Sequence, residues 1–368
     1  MRVLYLINYA GCGGSEKYVY NLINAYNNQK CECFFAYNEN GLLAKQIAEM
    51  NVVSFKFEMN NPFDLKAAKT LAKICKENKI DIIHAQYPRE NCIAILSRLY
   101  YNKTKVVFTN HILCENSAVW KMLNTLLCSK SDRIIAVCKY GKELLIKNGY
   151  CAKKISVVYN GAQKVSRQKL ENALQNNIKK ELGLQDDVKI ISTVMRLCDV
   201  KRPWFLVDAV EKLKTITKEN FVCLIAGDGE LFQSTKAQIK NNNLEDKIIL
   251  LGYRNDIPNI LCVSDIFTNT SESEALSFAI TEALSFGVPC VVTDVGGNKE
   301  IINQENNNGF LIEKDDIDGF ANSLKMLLED DILHETFANG AKKSSDEVFS
   351  LSASLEKTYE IYTSLLKN

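Results

Sequence analysis

The chain has 368 residues, 46% of them hydrophobic and 24% charged, with a formal net charge of +1. That length exceeds one comfortable core and points to two domains, while the lack of any apolar run of ~18 residues excludes a membrane-spanning helix. Three histidines argue against a His-rich metal site, and thirteen cysteines without a Cys-x-x-Cys pair read as small hydrophobes of a reduced, cytosolic chain.

The near-neutral total hides an asymmetry: residues 1–165 carry 23 Lys/Arg against 12 Asp/Glu, and residues 166–368 carry 22 against 32. The basic half has no nucleic-acid recognition motif, so an anionic membrane surface or a phosphate-bearing acceptor fits it better. Residues 3–7 are too short for the core of a signal peptide.

In chain order, Val3–Asn8 is a continuous apolar strand of the kind buried on both faces of a parallel sheet. A glycine turn follows, then a helix to about Asn27. Strands are predicted at 32–37, 52–57, 80–84, 105–110, 133–137 and 155–159, with helices at 42–50, 64–78, 90–101, 119–127 and 140–147. Residues 163–187 are polar, contain helix formers and no strand, and mark the inter-domain segment. The alternation then restarts, with strands at 188–194, 221–226, 247–251, 265–269, 290–293 and 310–312. Helices are expected at 203–213, 230–240, 276–286 and 298–302, and the pattern is helical from Ile317 onward. Strict β-α alternation means doubly wound α/β domains, which bind ligands at the carboxyl ends of their strands.

Several strand ends carry candidate chemistry. Gly11–Glu16 (GCGGSE) is either a tight βα turn or a place where backbone amides approach an anion; it lacks the G-x-G-x-x-G spacing. Arg196 and Lys201 follow the first strand of the second half, and are either a surface ion-pairing loop or cations for a diphosphate. Glu274 and Glu282 flank the start of the 276–286 helix, with seven residues between them. On a helix that step is ~12 Å of rise, too far for an acid/base pair but suited to two parts of one extended ligand. The amides near Ala275–Ser277 would be open to phosphate; an ordinary solvated loop before an amphipathic helix is the alternative. Asp316 and Asp318 have metal-motif spacing but read as a helix start. His111 ends a strand on the ligand side, and His84 ends another but reads as buried. Lys66, Lys69, Lys73 and Lys76 share one helix face, either merely solvated or facing a membrane. Val119, Trp120, Met122, Leu123, Leu126 and Leu127 form a stripe read as core, with lipid or acceptor contact as the other reading.

Taken in order, GGSE, Thr109–His111 (TNH), DRIIAVCKYGKELLIKNG, KISVVYNGA, MRLCDVKRP, LIAGDGE, LLGYRNDI, the Glu274/Glu282 pair and GVPCVVTDVGGNKEII resemble the family-four retaining glycosyltransferases of the GT-B fold. The resemblance covers nearly the whole chain. It implies two facing Rossmann-like domains with a cleft: an acceptor domain at 1–165, a nucleotide-sugar donor domain at 166–346, and a last helix, about 347–368, packing back on the first. It implies that Arg196 and Lys201 bind the donor diphosphate, that Glu282 binds the ribose and that Glu274 contacts the transferred sugar beside Ala275, Leu276 and Ser277. Gly14 would approach the donor phosphates, His111 the donor sugar, and Tyr253 and Arg254 would border the base. The implied reaction moves a sugar from a UDP- or GDP-sugar to a glycan or lipid-linked acceptor with retention, giving an α-bond, in cell-surface polysaccharide or glycolipid synthesis. No metal or other cofactor is expected, and the implied location is cytoplasmic, with peripheral attachment to the inner membrane face. Three positions depart from the family pattern. Ala275 stands where glycine is usual and adds a methyl beside the sugar. Arg202 stands where the glycine after the lysine is usual, and either adds a phosphate contact or faces solvent. Cys138 replaces a common serine. A non-hydrolysing nucleotide-sugar epimerase and a non-catalytic sugar-nucleotide-binding subunit are the rival readings.

Overall fold

The computed structural model describes residues 1–175 and 178–367. Residues 176 and 177 of the predicted polar segment, and the predicted helix end at 368, lie outside the described residues. The chain divides into two compact units: Met1–Tyr159 together with the chain from Ala353, and Asn160–Ser352.

The first unit alternates β1 (Arg2–Tyr9), α1 (Gly14–Tyr26), β2 (Glu32–Glu39), α2 (Leu42–Glu49), β3 (Val53–Lys56), α3 (Leu65–Glu77), β4 (Ile82–Ala85), α4 (Pro88–Ser97), β5 (Lys105–Asn110), α5 (Ala118–Lys130), β6 (Arg133–Ala136), α6 (Lys139–Lys147) and β7 (Ile155–Val157). All neighbours pair in parallel, in the order β3-β2-β1-β4-β5-β6-β7. Val3–Ile7 are fully buried, as expected of a strand covered on both faces. Leu4, Leu6, Ile83, Ile93 and Val106 belong to one core with Leu71 of α3. Local signals place the helix ends: Asp64 caps α3, accepting from the Ala67 amide at 2.9 Å. The Cys138 thiol caps α6 by accepting from the Gly141 amide at 3.1 Å, the place a serine hydroxyl would take.

The second unit contains α7 (Arg167–Gln175), α8 (Ile178–Glu181), β8 (Lys189–Val194), α9 (Pro203–Ile216), β9 (Phe221–Ala226), α10 (Phe232–Asn241), β10 (Ile248–Gly252), α11 (Ile257–Leu261), β11 (Ile266–Asn269), α12 (Phe278–Ser285), β12 (Cys290–Thr293), α13 (Asn298–Ile301), β13 (Gly309–Ile312), α14 (Ile317–Glu329) and α15 (Asp331–Glu347). Its strands run in parallel in the order β10-β9-β8-β11-β12-β13. Asp316 caps α14, accepting from the Gly319 amide at 2.8 Å, which gives that residue a structural task.

The last helix, α16 (Leu351–Leu366), belongs to the first unit from Ala353 on: the Tyr26 hydroxyl donates to the Leu355 carbonyl, and Tyr362 is buried against His84. The unit boundary falls at Tyr159, six residues before the predicted 165. The reason is that Ala162 pairs with the segment after α15, through its amide to Phe349 O at 2.9 Å and its carbonyl to the Leu351 amide at 2.8 Å.

Most of the α5 stripe is not core. Only Asn124 and Cys128 of that helix are buried, whereas Val119, Met122 and Leu126 are each more than 60% exposed. Val119, Trp120, Met122 and Leu126 thus lie on the outer side of α5, while Leu127 packs against the core and Asn124 faces inward, donating to the Asn148 carbonyl at 2.9 Å.

Candidate active site

In each sheet the strand order reverses beside its first strand, between β1 and β4 in one and between β8 and β11 in the other. The carboxyl ends of those strands are the places where an open α/β sheet leaves room for a ligand.

In the second unit, β8 runs into Met195–Lys201 and β11 runs into Thr270–Ser277. The two loops are tied together. The Glu272 amide donates to Val200 O at 2.7 Å, and the Thr270 hydroxyl to Lys201 O at 2.9 Å. This brings Lys201 Nζ to 2.5 Å from Glu274 Oε1. The same oxygen accepts from Asn269 Nδ2 at 3.1 Å and Ser271 Oγ at 2.8 Å. The Gly296–Gly297 turn holds the loop from below: Gly297 N donates to Glu274 O at 3.0 Å, and Gly296 takes φ +52°, which favours glycine. Glu274 is therefore a fixed carboxylate with one oxygen saturated.

Helix α12 starts at Phe278, two residues later than predicted, so Glu274 stands in the loop before it and only Glu282 is helical. Among the described residues the amides of Ala275, Leu276 and Ser277 make no hydrogen bond. Leu276 and Ser277 are buried. Open amides before a helix start, in the loop whose Glu274 pairs with Lys201, are groups that can accept an anion.

The other predicted residues are placed differently. Arg196 is 73% exposed and pairs with Glu230 at 3.2 Å. The backbone on either side of it is held, with Met195 N donating to Ala226 O and Leu197 N to Asp228 O, each at 3.0 Å. A Cβ at Gly227 would lie 1.7 Å from Met195 O, so the turn there demands glycine. Arg254 is clamped by Glu181 and Asp256, each at 2.6 Å, and Tyr253 beside it is 59% exposed. Arg202 neither faces solvent nor is free for phosphate. It is buried, stacks over Phe205 at 4.7 Å and bonds the Lys314 carbonyl and Asp315. Its φ of +51° explains why glycine suits that position.

In the first unit, Gly14 opens α1. Ser15 Oγ donates to Glu16 Oε2 at 2.7 Å and lies 2.6 Å from the Tyr87 hydroxyl. His111 follows β5 with its Nε2 at 3.0 Å from Gln86 Oε1, and Tyr18 sits edge-on to its ring at 5.0 Å. Burial pushes the His111 imidazole down to about 3. His84 is fully buried, as predicted, between Tyr362 OH at 2.5 Å and Thr109 Oγ1 at 2.7 Å; burial, with His111 nearby, pushes it down to about 3.

Sequence reasoning missed Asn269, Ser271, Gln86 and Glu90. Asn269 ends a strand, which was a usable signal; the other three act through neighbours that only the fold supplies. Glu90 accepts from the Asn8 amide at 2.6 Å, its second oxygen is buried without a partner, and burial raises it to about 7. It is a carboxyl in the first turn of α4, of the acid/base kind an epimerase reading would want, but it is sealed from solvent at 1% exposure.

Two units, each a parallel sheet with a strand-order reversal, are of the GT-B architecture, and comparison with known proteins gives the family. The model for glycosyl transferases group 1 matches residues 175–344, and that for glycosyltransferase family 4 matches residues 12–163. The chain is 32% identical over 320 residues to the Escherichia coli UDP-Gal:α-D-GlcNAc-diphosphoundecaprenol α-1,3-galactosyltransferase, covering 83% of this chain and 81% of that one. It is 28% identical over 334 residues to the Bacillus anthracis N-acetyl-α-D-glucosaminyl L-malate synthase, covering 87% and 84%. Among solved structures, a Rickettsia africae glycosyltransferase superimposes with a TM-score of 0.86 at 24% identity, over 100% and 99% of the chains. The Anabaena protein HepE, in complex with UDP and glucose, gives 0.84 at 20%, over 99% and 100%. The chain belongs to the family-four glycosyltransferases and is an enzyme of that class.

Proposed function

We propose that this enzyme transfers a sugar from a UDP-sugar to a glycan or lipid-linked acceptor, with retention, forming an α-glycosidic bond. The observation that carries the donor assignment is the cradle of the second unit: Lys201 at 2.5 Å from Glu274, beside the three unbonded amides of Ala275–Ser277. A fixed ammonium and open amides can stabilise the charge that grows on a departing diphosphate. In this reading Lys201, joined by Arg196 after release from Glu230, holds the diphosphate. Glu282 takes the ribose hydroxyls and Glu274 the sugar, and Tyr253 and Arg254 border the base; within the first unit, Gly14 and His111 are the residues assigned to ligand contact. No resident metal is assigned, so a chelator is expected to leave the rate unchanged.

The choice of a UDP-sugar rests on HepE, whose structure holds UDP and glucose, and on the E. coli relative, named for a UDP-Gal donor. That relative's name also gives a diphosphoundecaprenol acceptor and an α-linkage, which support a lipid-linked acceptor and the α-product here. The B. anthracis relative is named for malate, so the acceptor is the part of the reading that screening must fix. The decisive assay is release of nucleoside diphosphate that depends on an added acceptor. Interconversion of the nucleotide sugar with no acceptor would instead establish the epimerase, and neither activity would leave a binding subunit.

Among the described residues no helix is long and apolar enough to cross a membrane. Attachment to an anionic membrane face is proposed for the first unit. Phe63 stacks on Trp120 at 6.1 Å, joining the turn before α3 to the exposed apolar side of α5. Lys66, Lys69, Lys73 and Lys76 are all exposed on α3. Apolar side chains with lysines nearby are the composition of an interfacial membrane contact.

A further inference from the structure

Gln86 is fully buried at the end of β4, and its amide is held at both ends. Its Nε2 lies 3.1 Å from the His84 carbonyl oxygen, and its Oε1 lies 3.0 Å from His111 Nε2. The orientation is not interchangeable: a flipped amide would set oxygen against the His84 carbonyl and leave two acceptors face to face. With Oε1 directed at His111, the ring nitrogen it meets must carry the hydrogen. The ring plane is also restrained, by Tyr18 edge-on at 5.0 Å and by Tyr87 at 6.0 Å. Burial keeps the imidazole neutral, so it holds one proton in all. Among the described residues no partner is recorded for His111 Nδ1.

We propose that Gln86 is a positioning residue that fixes His111 as the Nε2–H tautomer, so that Nδ1 presents a lone pair which accepts the hydrogen of a sugar hydroxyl. The part played by the hydroxyl rests on the glycosyltransfer reading above; the tautomer does not. A histidine fixed in this way distinguishes ligands by polarity: it takes a hydroxyl and refuses a group that can only accept. Second-layer partners that orient a functional histidine typically matter by about 10- to 100-fold in activity or affinity. Gln86→Met keeps the length of the side chain and removes both polar ends.

The test is nitrogen-15 NMR of the histidine rings in the full-length protein without substrate, with the three rings assigned through His84→Gln, His111→Asn and His334→Gln. The expected result is a protonated Nε2 and a bare Nδ1 on His111 from about pH 5.5 to 8. A His111 that is cationic there, or protonated at Nδ1, overturns the proposal whatever the activity. In Gln86→Met, the expected result is an averaged or reversed tautomer with kcat down by about 10- to 100-fold and unchanged binding of UDP alone. A variant that folds, loses activity and keeps the wild-type tautomer also overturns it. If Gln86→Met fails to fold, the wild-type spectrum still decides. If the tautomer is as stated but no sugar transfer is found with any acceptor, the glycosyltransfer reading fails and the positioning role stands.

Discussion

Lys201 and Glu274 come from loops after two different strands, 73 residues apart in sequence, yet they form a partly buried ion pair at 2.5 Å. The pair joins a diphosphate-binding candidate to a sugar-binding candidate before any ligand arrives. Lys201 stands beside amides that would bind the same anion, so a ligand phosphate must compete with Glu274 for the ammonium or share it. Lys201→Met is expected to lower kcat by about 100- to 1,000-fold, the usual loss of one fixed group facing developing charge. Lys201→Arg, which restores the charge, should recover part of it. Steady-state kinetics of the two variants, with circular dichroism to confirm folding, provide the comparison. Equal rates for Met and wild type would remove Lys201 from the chemistry.

Arg202 makes an unusual prediction about backbone strain. At φ +51° a residue with a Cβ is strained by roughly 1 kcal/mol, and here the side chain offsets that through Phe205, Lys314 and Asp315. Arg202→Ala loses the contacts and keeps the strain. Arg202→Gly loses the contacts and relieves it. Urea denaturation should therefore rank wild type above Gly and Gly above Ala, with about 1 kcal/mol between the two variants. Ala more stable than Gly would refute the strain argument.

Stability should depend on pH in two opposed ways. His84 is neutral when folded, down to about 3, against an ordinary value of 6.5. Below about 6.5 the unfolded chain takes up a proton that the folded chain refuses. Stability therefore falls as pH falls towards 3, by on the order of 1.4 kcal/mol per pH unit for that imidazole. Glu90 runs the other way. Its folded value is raised from 4.5 to about 7, so its stabilising contribution is full below 4.5 and gone above about 7. Glu90→Gln removes only the second slope. Relative to wild type, the variant should gain on the order of 2–3 kcal/mol between pH 4.5 and 8. A difference that stays constant across that range would mean that Glu90 titrates normally.

For the membrane proposal, the wild-type enzyme should sediment with phosphatidylglycerol-containing vesicles at low ionic strength and release at about 0.5 M salt, where screening is strong. Because Met122 and Leu126 are exposed, changing both to Ser leaves folding intact and should weaken binding by more than about tenfold. Binding that ignores salt, or is unaffected by the double change, would dispose of that surface.

The alternation of apolar runs with glycine turns located all thirteen described strands, most plainly where a strand buried on both faces leaves a run such as Val3–Ile7. The five-residue α11 escaped notice, being too short to show a helical period. The α5 stripe misled because periodicity reports that a helix has an apolar side but not what that side meets. In the site, Lys201 and Glu274 were legible as types at strand ends. Their contact was not, since it depends on the Glu272–Val200 and Thr270–Lys201 hydrogen bonds. Gln86 carried no signal of its own: its role is created by His84 on one side and His111 on the other.

The central claim is that the loop and helix from Glu274 to Glu282 bind the donor of a glycosyl transfer. The most direct measurement is acceptor-dependent release of nucleoside diphosphate by the wild type and by Glu282→Ala, with both proteins shown to be folded. The account predicts release by the wild type only when an acceptor is present, and a loss of at least about 100-fold in the variant. Wild-type turnover in Glu282→Ala would contradict it.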